Sequence, residues 1–283
     1  MKNNFEIVAE LFGLTVPEVG RDMLEPRLGA TSTESKALGE ERLLQGDFAG
    51  AAQHLQRAVA QSPESAESHL DLATAYLCLE DAPHARAEFE EALRVSQDDP
   101  EPYLGISDVQ KREGHRHEAL ATLEQAATLD PANPFIHFKI AEVLRSLKFY
   151  KKAHRAIREA IVHAPDQSFY HFWAGDLLLE NRQFEEALNA FRAALELSPG
   201  DDLLFSRAAL AFWGAGKPQE AIKSVRLASD LDPENLMHYG MLARFLKEIS
   251  MSDEALVEQA KADRMDSYDR ANLVRMLTMV GLE

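Results

Sequence analysis

Residues 168–201 read SFYHFWAGDLLLENRQFEEALNAFRAALELSPGD, and the fold follows from what recurs 34 residues to either side of them. Ala187 in this stretch is matched by Ala51, Ala85, Ala119, Ala153, Ala221 and Ala255. Ala194 is matched by Ala58, Ala92, Ala126, Ala160, Ala228 and Ala262. Two ladders of unbroken alanine, in one register and without an insertion, mark a tandem array and not an ordinary helical bundle. A third ladder is small throughout: Gly39, Ala73, Ser107, Ala141, Gly175, Ala209 and Ala243. A fourth is bulky and apolar, with Leu55, Phe89, Leu123, Ile157, Phe191 and Val225, and breaks at Gln259. A fifth holds Pro63, Pro131, Pro165, Pro199 and Pro233, with Gln97 and Ser267 out of pattern; Pro100 is expected to supply the helix stop after Gln97.

With residue 32 counted as position 1, small residues fall at positions 8, 20 and 27 and proline at 32. Small residues at 8 and 20 let two helices of a pair approach closely, and alanine at 27 lets the next pair's first helix pack on the second. Proline at 32 ends the second helix, because it lacks an N–H and restricts the residue before it. The pattern resembles the tetratricopeptide repeat. The resemblance implies an all-α, right-handed superhelical solenoid of seven repeats, 32–65, 66–99, 100–133, 134–167, 168–201, 202–235 and 236–268. Fourteen helices and no sheet are expected there, with a capping helix in 269–283 marked by the stripe Leu273, Met276, Leu277 and Val280. Residues 1–31 form an N-terminal arm and connector, in which Phe5, Val8 and Phe12 share one helical face and Gly13 ends the helix.

The apolar fraction of 46% and charged fraction of 27% are those of a folded chain. A formal charge of −17 disfavours non-specific attraction to nucleic acid or anionic lipid. Glu6 and Glu10 interrupt the apolar N-terminus, and no run approaches a membrane span, so a cytoplasmic protein without membrane insertion is expected. Cys78 is the single cysteine, which excludes an intrachain disulfide; at position 13 it reads as a small buried apolar group, not a nucleophile.

In the family that the repeat resembles, positions 2, 5, 9 and 12 of each first helix line a concave groove. Repeat four places Phe135, Phe138, Glu142 and Arg145 there, and repeat five Phe169, Phe172, Asp176 and Leu179, with Trp173 beside them. Repeat six places Leu203, Ser206, Leu210 and Trp213. Lys139, Arg207 and Arg244 adjoin them and complete the candidate binding set. Bulky aromatics turned to a groove are candidate anchors for a partner, the alternative being that they fill gaps between neighbouring first helices. Phe172 and Trp213 lie off the alanine ladders and are expected to be removable without loss of the fold.

Two uses of the resembled family do not carry over. A clamp for acidic chaperone tails would need asparagine where Glu40 and Asp71 flank Lys36, and an asparagine ladder at position 6 is absent. Repeat two carries nine acids and two bases, a net of −7, whereas repeat four carries seven bases and three acids, a net of +4. Lys148, Lys151, Lys152, Arg155 and Arg158 form an outer basic stripe, a solvated face or a contact to an acidic partner, including repeat two of a second copy in a homodimer. His69, His137 and His171 share position 4 and read as core or semi-core residues; His115 and His117 match no zinc spacing. No cofactor or metal is implied.

These features point to a non-catalytic scaffold or adaptor that takes a peptide or helical segment of another protein in the groove, in assembly of a multiprotein complex. A dedicated client chaperone would use the same groove; an enzyme or enzyme-regulatory subunit is disfavoured because no phosphate loop, metal set or nucleophile–base grouping is present. The register itself is testable. Ala187→Leu should overpack one helix pair and lower stability by roughly 1–3 kcal/mol in chemical denaturation, whereas an unchanged unfolding midpoint would place Ala187 outside the pair interface.

Overall fold

A computed structural model describes residues 31–282. The expected N-terminal helix with Phe5, Val8 and Phe12, and all of the connector but Thr31, lie outside the described residues. Among those described there are fifteen helices and no strand. Two compact units divide the chain after Pro131. The first holds three helix pairs: α1 (Ser32–Leu44) with α2 (Phe48–Gln61), α3 (Ala66–Cys78) with α4 (Ala82–Val95), and α5 (Glu101–Arg112) with α6 (Arg116–Leu129). The second holds α7 (Pro134–Ser146) with α8 (Tyr150–His163), α9 (Ser168–Glu180) with α10 (Phe184–Leu197), and α11 (Asp202–Gly214) with α12 (Pro218–Leu231). It continues with α13 (Leu236–Glu248) and α14 (Ser252–Ala262), and ends on a single helix, α15 (Ser267–Met279).

Each pair is joined by the same turn. A residue with positive φ stands at position 15 of every pair: Gly46, Glu80, Gly114, Lys148, Arg182, Gly216 and Ser250, with φ between 58° and 86°. Its N–H donates to the carbonyl three residues back, and the next N–H reaches five back, as Arg182 N to Leu179 O at 3.0 Å and Gln183 N to Leu178 O at 2.9 Å. This double bond pattern satisfies carbonyls that the first helix would leave open. The residue after the turn then caps the second helix. Asp47 and Asp81 accept from the backbone N–H of Gly50 and His84. The left-handed turn escapes the sequence pattern because only three of its seven residues are glycine.

Within a pair, the small residue at position 8 faces the bulky one at position 24. A Cβ on Gly39 would stand 2.4 Å from Leu55 Cγ, and one on Gly175 would stand 2.5 Å from the Phe191 ring, so no side chain fits without repacking. Both alanine ladders are buried in the described chain. Phe191 is fully buried, and its truncation to alanine removes about 3–5 kcal/mol of packing. Pro100 does not act as the expected stop: α4 ends at Val95 on Ser96, and Pro100 sits in helical conformation at the head of α5. Its fixed φ suits a helix start.

Position 4 has a specific use. His69 Nε2 lies 3.0 Å from Pro63 O, His171 Nε2 lies 2.8 Å from Pro165 O, and Tyr239 Oη donates to Pro233 O at 3.1 Å. Each reaches the proline carbonyl in the turn after the preceding second helix, so these side chains tie one pair's first helix to the turn before it. His69 Nδ1 also lies 2.6 Å from Glu88 Oε2. Cys78 is exposed, contrary to its reading as a core group, because position 13 is the last residue of α3, where the chain turns outward to Leu79 and Glu80. Partial burial raises its thiol pKa, which Arg112 opposes.

At the other end, α15 buries Leu273, Met276 and Leu277. It lies so close to α13 that a Cβ on Gly240 would meet Leu273 Cδ2 at 2.4 Å. The turn ladder gives a stability test. Arg182→Gly removes a side chain from a left-handed position and should stabilise the chain by about 1 kcal/mol, read as a raised urea midpoint. A midpoint at or below wild type would show that this turn carries no strain.

Candidate functional site

The candidate residues lie on α7, α9, α11 and α13, the first helices of the pairs in the second unit. Phe138 is the hub of an aromatic cluster. Its ring centroid lies 5.9 Å from Phe135, 4.9 Å edge-on from Phe169 and 5.1 Å edge-on from Trp173. These are favoured geometries for rings with a negative face and a positive edge. Lys139 Nζ lies 5.4 Å from the centroid of Phe135, and the Arg145 guanidinium 4.9 Å from that of Trp173.

A chain of alternating charge runs beside the rings. Arg145 Nε lies 3.0 Å from both carboxylate oxygens of Glu180, and its Nη2 bonds Glu180 and approaches Asp176 Oδ2 at 3.3 Å. Arg207 Nη1 stands 3.5 Å from Asp176 Oδ1, an ionic contact longer than a good hydrogen bond. Asp176 Oδ1 and Arg207 Nε are buried without a hydrogen bond. Burial pushes the Asp176 carboxyl above the ordinary range, against the pull of Arg207 and Arg145, and Glu180 adds to the push. Burial would lower the Arg145 pKa, but Glu180 and Asp176 hold it above its ordinary value.

Several predicted contact residues are thus structural. Leu210 is 0% exposed and Phe138 8%, because bulky side chains at these positions fill the space between neighbouring first helices. Asp176, at 4%, is enclosed by Arg145 and Arg207 and is not open to a ligand. Phe172 packs 6.3 Å from Phe191, and Trp213 stacks on Phe245 at 4.4 Å and 9°. Their removal therefore costs packing between helices as well as groove surface. Arg244 pairs with Glu248 at 3.1 Å. Toward solvent stand Phe169 at 37%, Leu203 at 41%, and the partly exposed Phe135, Lys139, Glu142, Arg145, Phe172, Trp173, Arg207, Trp213 and Arg244. The arrangement offers aromatic area and guanidinium edges, which suit contact with a polypeptide. In the first unit, Lys36 is surrounded by Glu40 at 2.5 Å, Glu67 at 3.1 Å and Asp71 at 3.5 Å.

Among the described residues, no three histidine, cysteine, aspartate or glutamate side chains group as metal ligands, and no helix is long and apolar enough to cross a membrane.

Three tetratricopeptide-repeat family models match the chain, over residues 42–105, 100–133 and 138–202. The chain belongs to the tetratricopeptide-repeat family. Its helices match those of solved members at low identity. A tetratricopeptide repeat protein from Parabacteroides merdae ATCC 43184 is 14% identical, with a TM-score of 0.64 over 88% of this chain and 98% of that one. Pseudomonas aeruginosa PilF is 18% identical, with a TM-score of 0.63 over 77% and 97%. YrrB, described as a TPR protein with an unusual peptide-binding site, is 21% identical, with a TM-score of 0.54 over 66% and 96%. No curated protein sequence matches. The fold is that of an all-α solenoid, the architecture of protein–protein interaction scaffolds.

Asp176 makes the charge chain testable by pH. A carboxyl with a raised folded pKa binds its proton more tightly folded than unfolded, so its contribution is greatest at low pH and is lost as pH rises through the folded value. The stability of wild type minus Asp176→Asn, from urea midpoints, should therefore fall as pH rises above the ordinary carboxylate range. A difference that rises with pH would show that the two arginines hold the carboxylate ionised at low pH.

Proposed function

We propose that the protein is a scaffold which takes a segment of another protein on the exposed faces of α7, α9 and α11, within assembly of a multiprotein complex. The observation that carries this reading is the cluster formed by Phe135, Phe169 and Trp173 around the buried Phe138. It holds partly exposed rings in fixed positions, with Leu203 open on the next first helix. Rigid aromatics give contact area at small entropic cost, and their anchoring on Phe138 limits it further. The peptide-binding site reported for YrrB is a precedent within the same fold.

Affinity capture from the native host, with wild type and variants as bait, tests the surface. Phe169→Ala with Leu203→Ala should weaken the retained partner about thirty-fold or more, the loss of about 2 kcal/mol expected for a hot spot, with helical circular dichroism reporting that the variant folds. The outer basic stripe is the competing surface, since Lys151, Lys152, Arg155 and Arg158 are exposed on α8. Lys151→Glu with Lys152→Glu should leave capture largely intact. If that pair abolishes capture while the Phe169/Leu203 variant retains it, the stripe is the binding surface and the aromatic face is not.

A further inference from the structure

The last helix of the second unit does not lie where the array would continue. Within this unit each second helix packs on the first helix of the next pair, α8 on α9, α10 on α11 and α12 on α13. An eighth first helix would lie on α14 in the same way. Instead α15 packs on α13 and reaches past it to α11, both of them first helices. Leu256 on α14 is left 68% exposed, whereas its counterparts in the two preceding pairs, Ile222 and Leu188, are buried. A helix that merely closed the end of the array would cover Leu256 and its exposed neighbour Val257.

The seat of α15 is made of groove positions. Leu273 rests against Gly240, at position 5 of its pair, where an added Cβ would meet Leu273 Cδ2 at 2.4 Å. Beside this contact a cleft of about 160 Å³ separates α15 from α11 and α13. Leu203, Ser206 and Met237 line it from α11 and α13, at positions 2 and 5, and Asn272 and Met276 line it from α15. Burial raises the Asp176 pKa, and after Arg207 and Arg145 the charge of Arg275 opposes that rise, so α15 is felt as far as α9.

The hold on this seat is apolar. α15 buries Leu273, Met276 and Leu277, a triad at i, i+3 and i+4. Its side-chain hydrogen bonds stay within the helix or the turn before it: Arg270 Nε donates to Met265 O at 3.1 Å, and Arg275 Nη2 to Asn272 Oδ1 at 3.2 Å. Among the described residues no hydrogen bond or ion pair links α15 to α11 or α13, and the cleft marks incomplete packing beneath it. An apolar helix face laid into a groove through i, i+3 and i+4 anchors is a general way for a protein to take a helical segment.

We propose that α15 is an internal ligand, seated on the first-helix face of α11 and α13, and that an amphipathic helix of the partner displaces it. The displacing helix carries the same apolar spacing, i, i+3 and i+4. The proposal rests on the reading that the α7–α11 face takes the partner's segment, because Leu203 belongs both to that face and to the cleft under α15. It adds that the segment is helical and that the chain gates its own surface. The apparent affinity is lowered by the fraction of time for which α15 closes the seat.

The test uses the full chain and a fluorescent peptide with the sequence of residues 263–283. A control peptide has the same composition, with the residues at 273, 276 and 277 exchanged for polar neighbours so that the triad is lost. Leu273→Asp with Leu277→Asp in the full chain should release α15, with circular dichroism reporting that the repeats stay folded. The released variant should bind the peptide about ten-fold more tightly than wild type, as for a seat closed about nine-tenths of the time, and should not bind the control. Hydrogen exchange on wild type gives a reading that needs no variant. The amides of α15 should exchange faster than those of α13, and faster still with the peptide in excess, a response that simple fraying of a terminal helix does not give. Equal affinity of wild type and variant, a control bound as tightly as the peptide, or α15 protection unmoved by the peptide overturns the proposal. A wild-type dimer in sedimentation that the Leu273/Leu277 variant loses assigns the seat to α15 of a second copy, and overturns the partner helix. Each of these outcomes leaves the aromatic surface standing, because that surface is read separately by capture with the Phe169/Leu203 variant.

Discussion

The structure depends on how closely two helices of a pair can approach. Where Gly39 meets Leu55 and Gly175 meets Phe191, a single added methyl group would collide with the opposite side chain. The large residue supplies the buried area and the small one supplies the room for it. Neither works alone, since a bulky pair would force the helices apart and a small pair would leave a void. The alanines at positions 20 and 27 extend the same condition to neighbouring helices, and all are buried in the described chain. Because the condition recurs every 34 residues, each pair repeats one solution to a local packing problem.

Most of the fold is legible in the sequence for that reason: burial at a fixed period leaves fixed residue types behind. The turns are less legible. Seven residues adopt the left-handed conformation at a constant spacing, but glutamate, lysine, arginine and serine fill four of those places. The two backbone hydrogen bonds at each turn hold the geometry whatever side chain stands there. Pro100 shows the opposite limit, a residue whose type suggested a stop and whose place made it a start.

The candidate site is legible in direction but not in depth. Periodicity says which side of a first helix Phe138, Asp176 and Leu210 face; it does not say that the adjacent first helix already covers them. That covering depends on the sizes of residues from two repeats at once, as with Trp213 over Phe245. The contribution of α15 is harder still to foresee. Its apolar stripe marks it as a cap, but nothing in the repeat pattern says that Asn272 and Arg275 line a cleft with α11 and α13.

The charge chain through Arg145, Glu180, Asp176 and Arg207 joins three first helices with few spare acceptors. Its members are interdependent in descent as well as in space. Loss of the Asp176 carboxylate leaves two facing guanidiniums short of a counter-charge, and loss of Arg207 leaves a buried carboxylate held from one side only. Either change is tolerated best alongside a second that restores the balance. Among descendants of this sequence, positions 145, 176, 180 and 207 should accordingly drift as a covarying set, so that their pattern of joint replacement records which helices have remained neighbours.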